Sequence, residues 1–518
     1  MSAHNKEGEK VERTMNESER AAAEPQTPAL GSVENPGVSP APTRRLYLIN
    51  PSNPMVSILD VKESRWNRCR VWKPLGLMVI AGLTPRDWEV TIIDENLGVP
   101  DYSGLPRPDL VGVTAFTSQA ERAYALATHF RDEGVSVVIG GIHATMCLEE
   151  ASSYVDAVVT GEAEKVWKRV LKDARSDQLK PLYEGGLAEM SELSPARHDL
   201  LPNEYAFGSV QTTRGCPLHC SFCSVTAFNG SRFRQRPIED VIRELEALSE
   251  DLVLIVDDNL IGTRHQHQER AKDLFRAMIE ANLDKSWVAQ ATINIANDDE
   301  LLSLAAAAGC KGLFVGFESP QPETSKEIHA KNNLCRCRDL SYAVRRIQNH
   351  GILVAGSFII GLEGDRPGVG ALIADTAERY GVDFVNALFL TPLPGTKLWD
   401  EMKAEARVTP SQFPGDWSYF TLTYPVARFA GLTSRQAVTE MISCSKRFYS
   451  IPRMLRRLWR NLWRGQPVRI GLAGGLSYRH NIPIEQAKLE AFLARHGNDM
   501  DTFKDRSVEP VANHSPHD

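Results

Sequence analysis

Three cysteines, Cys216, Cys220 and Cys223, stand in the run TTRGCPLHCSFCSV at 212–225 with the spacing C-x3-C-x2-C. Thiolates are soft donors, suited to iron–sulfur clusters or zinc. A structural zinc site closes with four protein ligands, whereas three thiolates leave a coordination position open for chemistry. His219 is the local candidate for a fourth ligand, and zinc is the alternative it carries. Its place between two of the cysteines makes joint tetrahedral ligation awkward. Further acids follow in VDDN (256–259), with Asp257 and Asp258, and in GFES (316–319), with Glu318 and Ser319. A buried carboxylate is costly unless it finds water, a partner or a ligand. The plain alternatives are a helix-capping run at 257–258 and an exposed strand end at 318.

These residues need elements to hold them. From Gly208 onward, short apolar runs alternate with helical segments. The runs are SVQTT (209–213), LVLIVDD (252–258), WVAQATI (287–293), GLFVGFE (312–318), LVAGSFII (353–360) and FVNALFL (384–390). Strands alternating with helices imply βαβ crossovers and a parallel sheet. Six units without two more predict a partial (β/α)6 barrel, with the cysteines at the carboxyl end of its first strand, where sites on such barrels lie. The stretch GSFIIGLEGD (356–365) offers glycines that admit close approach of a ligand to the backbone. LTPLPGT (390–396) reads as a proline-rich turn after the sixth strand.

An earlier unit alternates in the same way, with strands at 46–50, 88–94, 109–115, 136–141 and 156–160 and helices at 75–83, 118–134, near 145–153 and at 162–174. It predicts a doubly wound Rossmann-like domain, whose ligand crevice lies at the carboxyl ends of its strands. NPSNP (50–54), FTSQ (116–119, with Ser118), GGIHAT (140–145) and GEAE (161–164) fall there. Gly140 and Gly141 permit close approach of a large flat group, Thr145 is placed to cap the next helix, and His143 lines or caps. The fold class is therefore α/β. A disordered leader (1–43) precedes the Rossmann-like domain (46–180), a linker (181–207), the partial barrel (208–400), a mainly helical region (401–497) and a disordered tail (498–518).

The chain has 518 residues, 59 Lys or Arg against 66 Asp or Glu, and a net charge of −7. That balance argues against a dedicated nucleic-acid binder. No run approaches the roughly 18 apolar residues of a bilayer span, and the N-terminus lacks the apolar core of a signal peptide. Nine cysteines spread over this length are unlike a secreted disulfide framework, so a reducing cytoplasm is expected. Cys69, Cys147, Cys310 and Cys444 read as small core residues. Cys335 and Cys337 form a C-x-C pair poorly suited to a cluster loop.

The C-x3-C-x2-C loop followed by six β/α units resembles the radical S-adenosylmethionine (SAM) superfamily, and the preceding Rossmann-like domain resembles its cobalamin-binding class. The resemblance covers about 46–400. It implies a [4Fe–4S] cluster on Cys216, Cys220 and Cys223, with SAM on the open iron and Phe222 near the adenine. It also implies polar contacts to SAM from Asp257 or Asp258 and from Glu318 and Ser319, and a cobalamin site at Ser118, Gly140, Gly141, His143 and Thr145. One departure is the lack of D-x-H-x-x-G, so His143 is a lining residue rather than a cobalt ligand. The implied activity is methylation of an unactivated carbon in a small-molecule or lipid substrate. SAM cleavage to a 5′-deoxyadenosyl radical would activate the carbon, methylcobalamin would supply the methyl group, and a second SAM would restore it. A reductant such as flavodoxin or ferredoxin is implied. The alternatives are an oxidative cyclase or ring-rearranging enzyme, a methylthiotransferase lacking its N-terminal cluster cysteines, and a non-catalytic cobalamin-binding regulator.

One further feature lies near the C-terminus. Leu455, Leu458, Trp459, Leu462 and Trp463 recur at helical spacing opposite Arg453, Arg456, Arg457, Arg460 and Arg464. The arrangement expected is a helix packed on the barrel by its Leu/Trp face, with the arginines solvated. The alternative is an interfacial helix giving peripheral membrane contact through 453–464.

Overall fold

The computed structural model describes residues 44–53, 55, 73–201, 205–321 and 339–500. The expectations for the leader, Pro54, Cys69, the Cys335/Cys337 pair and the tail beyond Met500 fall outside these residues.

The first sheet comprises β1 (Arg44–Asn50), β2 (Trp88–Asp94), β3 (Leu110–Thr114), β4 (Ser136–Gly140), β5 (Ala157–Gly161) and β6 (Leu182–Gly186). All pairs are parallel, in the order β2-β1-β3-β4-β5-β6. Helices α1 (Leu75–Leu83), α2 (Ala120–Asp132), α3 (Ile142–Met146), α4 (Leu148–Ser152) and α5 (Trp167–Arg175) connect them. β1 shows why both faces are covered. Leu46 and Leu48 join the cluster of Met78, Trp167 and Val170, whereas Tyr47 and Ile49 join that of Tyr124 and Phe130. Alternate side chains of a strand point to opposite faces, so a continuous apolar run feeds two cores. The strand order reverses between β1 and β3, which puts the crevice there.

Residues 182–186, read from sequence as linker, form β6. LYEGG has no apolar run to announce a strand. Its glycines are what let it lie against β5, since a Cβ on Gly185 would stand 2.0 Å from the Glu162 carbonyl oxygen.

The second sheet holds β7 (Gly208–Val210), β10 (Leu252–Ile255), β11 (Ser286–Gln290), β12 (Cys310–Glu318), β13 (Leu353–Ile360) and β14 (Phe384–Phe389). They are parallel and in chain order, with no pairing between β7 and β14 among the described residues. This is the expected open barrel of six strands. The expected first strand breaks after Val210, and β8 (Thr213–Arg214) instead pairs antiparallel with β9 (Arg234–Gln235). Its helices are α6 (Ser224–Asn229), α7 (Ile238–Ala247), α8 (His265–Glu280), α9 (Asp299–Ala307), α10 (Leu340–Asn349) and α11 (Val369–Tyr380).

The C-terminal helices are α12 (Lys397–Ala404), α13 (Ser434–Phe448), α14 (Ile451–Trp463) and α15 (Val468–Met500). α15 thus continues past Asn498, where the sequence reads as tail. α14 reverses the expected packing: Arg453, Arg457 and Arg460 face the barrel, while Leu455, Trp459, Leu462 and Trp463 are in solvent. Arg457 is buried, donates to Glu378 Oε2 (2.9 Å) and the Phe448 carbonyl (2.9 Å), and lies 3.8 Å from the Phe448 ring centroid. Arg453 reaches Asp375 (2.8 Å) and Arg460 the Gly381 carbonyl (2.8 Å). Guanidinium groups seat well against buried acceptors that would otherwise lack a partner, so the acids on α11 decide the orientation.

α11 and α13 cross closely. The Glu440 carboxylate accepts from the Gly368 and Gly370 amides at 2.8 Å each, a favourable position for an anion at a helix start. A Cβ on Gly370 would lie 2.0 Å from the Glu440 carbonyl oxygen. Gly370→Ala is therefore expected to lower stability in urea by about 1–3 kcal/mol through overpacking. Gly76→Ala, with nothing within 4 Å of its Cβ position, should leave stability unchanged or raise it. Equal midpoints for the two variants would contradict this crossing.

Candidate active site

The cysteine loop begins one residue after β8. Gly215 has φ +87°, and a Cβ there would sit 2.2 Å from the Arg232 carbonyl oxygen, so glycine is required. His219 turns the chain between Cys216 and Cys220 with φ +52° and is exposed, which directs it away from the zinc arrangement. Cys223 stands at the start of α6. The three thiols are free, half-buried and within electrostatic reach of one another. Burial above all pushes Cys220 up to about 12 and, against a hydrogen bond with the Val225 backbone, Cys223 up to about 11, with neighbouring negative charge adding to both. Among the described residues no three His, Cys, Asp or Glu side chains are closed into a metal-ligand set. Phe222 packs half-buried against the central core.

Asp257 and Asp258 follow β10 and serve different ends. Asp257 is fully enclosed and accepts from the Thr212 amide (2.6 Å), the Thr213 amide (3.0 Å) and the Thr212 hydroxyl. It thereby holds 212–213 away from the first strand, at the entry to β8. Burial outweighs these bonds and raises its pKa to about 6. Asp258 accepts from the Gly215 amide (2.8 Å) and Asn229 Nδ2 (2.9 Å), pinning the cysteine loop at both ends. Glu318 closes β12 with φ +63°, a strained conformation for a residue other than glycine. It is buried, and its charge acts on Cys220 and Cys223. Ser319 is buried beside it, and its hydroxyl accepts from the Gln321 amide at 3.1 Å.

Three residues escaped the sequence reading. Asn259 faces the Cys216 thiol, and its side chain has no other hydrogen-bond partner among the described residues. The Thr292 hydroxyl and the Asn294 carbonyl, just beyond β11, are buried with no partner among the described residues. The available signal was a polar residue two to four positions beyond each strand. Two glycines of the 356–365 stretch are taken up by internal packing. A Cβ on Gly356 would press on the Phe317 and Phe358 rings, and one on Gly361 would lie 2.4 Å from Phe429, so both make room for the protein's own aromatics.

In the first sheet, Gly140 ends β4, and Gly141 (φ +92°) leaves no space for a Cβ beside Thr114 and Ala115. The Thr145 hydroxyl donates to the Gly141 carbonyl (2.9 Å) and accepts from the Gly161 amide (2.9 Å), tying β4 to β5. Ser118 is half-exposed at the crevice next to Phe116, which is 66% exposed. The His143 ring has no exposed surface. Its Nε2 lies 2.8 Å from the Tyr124 hydroxyl and 3.3 Å from Glu150, and its ring lies edge-on to Trp417.

The two sheets meet through charge. Glu162, beyond β5, is buried between Arg214 (3.0 Å) and Arg234 (2.8 Å) and accepts from the Ala188 amide (2.8 Å). Glu164 also takes Arg214, at 2.6 Å. Burial works to raise the Glu162 carboxyl, and the guanidiniums and amide more than reverse it. The Leu398 amide donates to the Ser221 carbonyl (3.0 Å), and Gly395 makes room for Met146. The 390–396 turn thus passes between the cysteine loop and α3.

The fold and this loop define a class: a Rossmann-like crevice joined to a three-thiol loop at the mouth of a partial β/α barrel. Residues 210–367 match the Radical SAM superfamily and residues 69–171 the B12 binding domain. Over 417 residues the chain is 30% identical to an uncharacterized methyltransferase of Pyrococcus horikoshii, covering 74% of this chain and 89% of that protein. It is 28% identical to the bacteriochlorophyllide d C-12(1)-methyltransferase of Chlorobaculum tepidum, covering 74% and 84%. The structure of the radical S-adenosylmethionine methyltransferase TsrM from Kitasatospora setae superposes with a TM-score of 0.56 at 19% identity, over 71% of this chain and 76% of that one. The chain belongs to the B12-binding radical SAM family, whose cofactors are a [4Fe–4S] cluster, SAM and cobalamin. Among the described residues no helix is long and apolar enough to cross a membrane.

Two outcomes follow from this geometry. Removing one member of a buried ion pair strands the other, so Glu162→Ala should cost about 3–5 kcal/mol in denaturant unfolding. Loss below 1 kcal/mol, on the scale of an exposed pair, would contradict the burial. Asp257 holds its proton up to about 6, whereas an unfolded Asp loses it near 4. Its contribution to stability therefore falls as pH rises through that window and is constant above it. Between pH 5 and 7, wild type should lose roughly 1 kcal/mol more stability than Asp257→Asn. Superimposable pH profiles would contradict it.

Proposed function

We propose that this protein is a cobalamin-dependent radical SAM C-methyltransferase acting on an unactivated carbon of a small molecule. The observation that carries the reading is the cysteine loop, fastened on one side to Asp258 beyond β10 and on the other to Leu398, next to the turn whose Gly395 meets Met146 of the Rossmann-like domain. The names of the relatives support methyl transfer as the reaction class.

The donor set fits the family's cofactors. Cys216, Cys220 and Cys223 would hold the cluster, with Phe222 against the adenine of SAM. The unpartnered polar atoms of Asn259, Thr292 and Asn294 are suited to a zwitterionic ligand, since buried polar groups are ordinarily satisfied. Glu318 and Ser319 would face the ribose, while Asp257 and Asp258 position the loop. Ser118, Gly140, Gly141 and Thr145 would shape the corrin crevice, with His143 supporting its wall through Tyr124 and Glu150. When bound, these cofactors supply one-electron cleavage of SAM and a transferable methyl group. The chain's part is to orient them over one substrate and exclude water. A flavodoxin- or ferredoxin-like reductant in the cytoplasm would provide electrons.

The test uses the whole protein, reconstituted with iron, sulfide and cobalamin and reduced with SAM present. Wild type should release 5′-deoxyadenosine and Cys220→Ala should fall to background; equal release from both would sink the cluster assignment. Cells with and without the gene, fed methyl-labelled methionine, should differ by one labelled metabolite. A changed metabolite carrying no label would instead assign cyclisation or oxidation, and no 5′-deoxyadenosine from wild type would assign a regulator.

A further inference from the structure

The exposed face of α14 is unusual for a helix this well anchored. Ile451, Leu455, Trp459, Leu462 and Trp463 form one stripe, with Trp459 65% and Trp463 73% exposed and their ring centroids 5.7 Å apart. Ile470, Leu472 and Leu476 of α15 are exposed as well. Contiguous exposed apolar surface of this kind marks an interaction site. The charge around it is one-sided. Between Glu440 and Glu485 there are nine Lys or Arg and no Asp or Glu. Arg453, Arg457 and Arg460 are spent on the barrel side, against Asp375, Glu378 and Asp383. Arg456 and Arg469 are exposed and make no hydrogen bond or ion pair among the described residues.

We propose that this face docks on the surface of an anionic lipid bilayer, with Trp459 and Trp463 at headgroup depth and Arg456 and Arg469 meeting lipid phosphates. Tryptophan prefers such an interface because one part of its ring system is apolar and its N–H is polar. Basic residues beside an apolar stripe add attraction to anionic lipid. Charge favours the bilayer over a second copy of this chain, since two such faces would set arginine against arginine with no acid between them. The protein would lie on the membrane without crossing it. The proposal goes beyond the methyl-transfer reading and does not depend on it.

The experiment is flotation of the full chain with vesicles of phosphatidylcholine, with and without phosphatidylglycerol, alongside its sedimentation-derived mass. Wild type should float with the phosphatidylglycerol vesicles, less at high salt, and not with phosphatidylcholine alone. Trp459→Ser/Trp463→Ser and Arg456→Glu/Arg469→Glu should each weaken binding about tenfold or more. Both should keep wild-type 5′-deoxyadenosine release, which separates docking from chemistry. Absence of wild-type flotation, or flotation unchanged by both pairs, would overturn the proposal. A wild-type dimer that the tryptophan variant turns into monomer would also overturn it, giving the face to a second copy.

Discussion

The buried contact of Glu162 with Arg214 and Arg234 is the constraint on which the arrangement of the two sheets turns. Glu162 leaves the end of β5, and the arginines occupy the two strands of the small ribbon that brackets the cysteine loop. Arg214 is separated from Cys216 by one glycine. A shift of the first domain therefore pulls on the loop through a buried charge pair. Buried ion pairs of this kind add little net stability over apolar packing but strongly penalise any arrangement that separates them. Here they set position.

The same region shows how carboxylates divide labour. Asp257 and Asp258 are adjacent, yet one is saturated by 212–213 and the other by Gly215 and Asn229. Neither needs a ligand to be satisfied. Asn259, Thr292 and Asn294 retain polar atoms without such partners, so the edge beyond β10 and β11 combines rigid supports with unclaimed donors and acceptors. Pre-organised polar groups on rigid elements are what a site for a charged ligand requires.

The cysteine spacing and the strand–helix alternation were legible in the sequence because they are local patterns. β6 was not, since LYEGG is identified as a strand only by its neighbour. Glu162 and Arg214 lie far apart in the chain, and nothing local announces a buried pair. The orientation of α14 escaped for a different reason. Amphipathic spacing says that a helix has two faces, but which one is inside depends on Asp375, Glu378 and Asp383 waiting on the barrel. His143 likewise stood in a crevice motif, while its burial depends on Tyr124 and on Trp417, far along the chain.

The bond from Leu398 to Ser221 has a consequence for biosynthesis. The thiol loop draws its restraints from residues that leave the ribosome at very different times: Glu162 before it, Asp258 soon after, and Leu398 much later. A chain released before residue 398 would carry all three cysteines and most of the barrel, yet lack the bond from α12 to the Ser221 carbonyl. Contacts of such long sequence separation slow folding, because loop-closure entropy is lost before they form. The loop acquires its full set of backbone restraints only after residue 398 of 518 has been made.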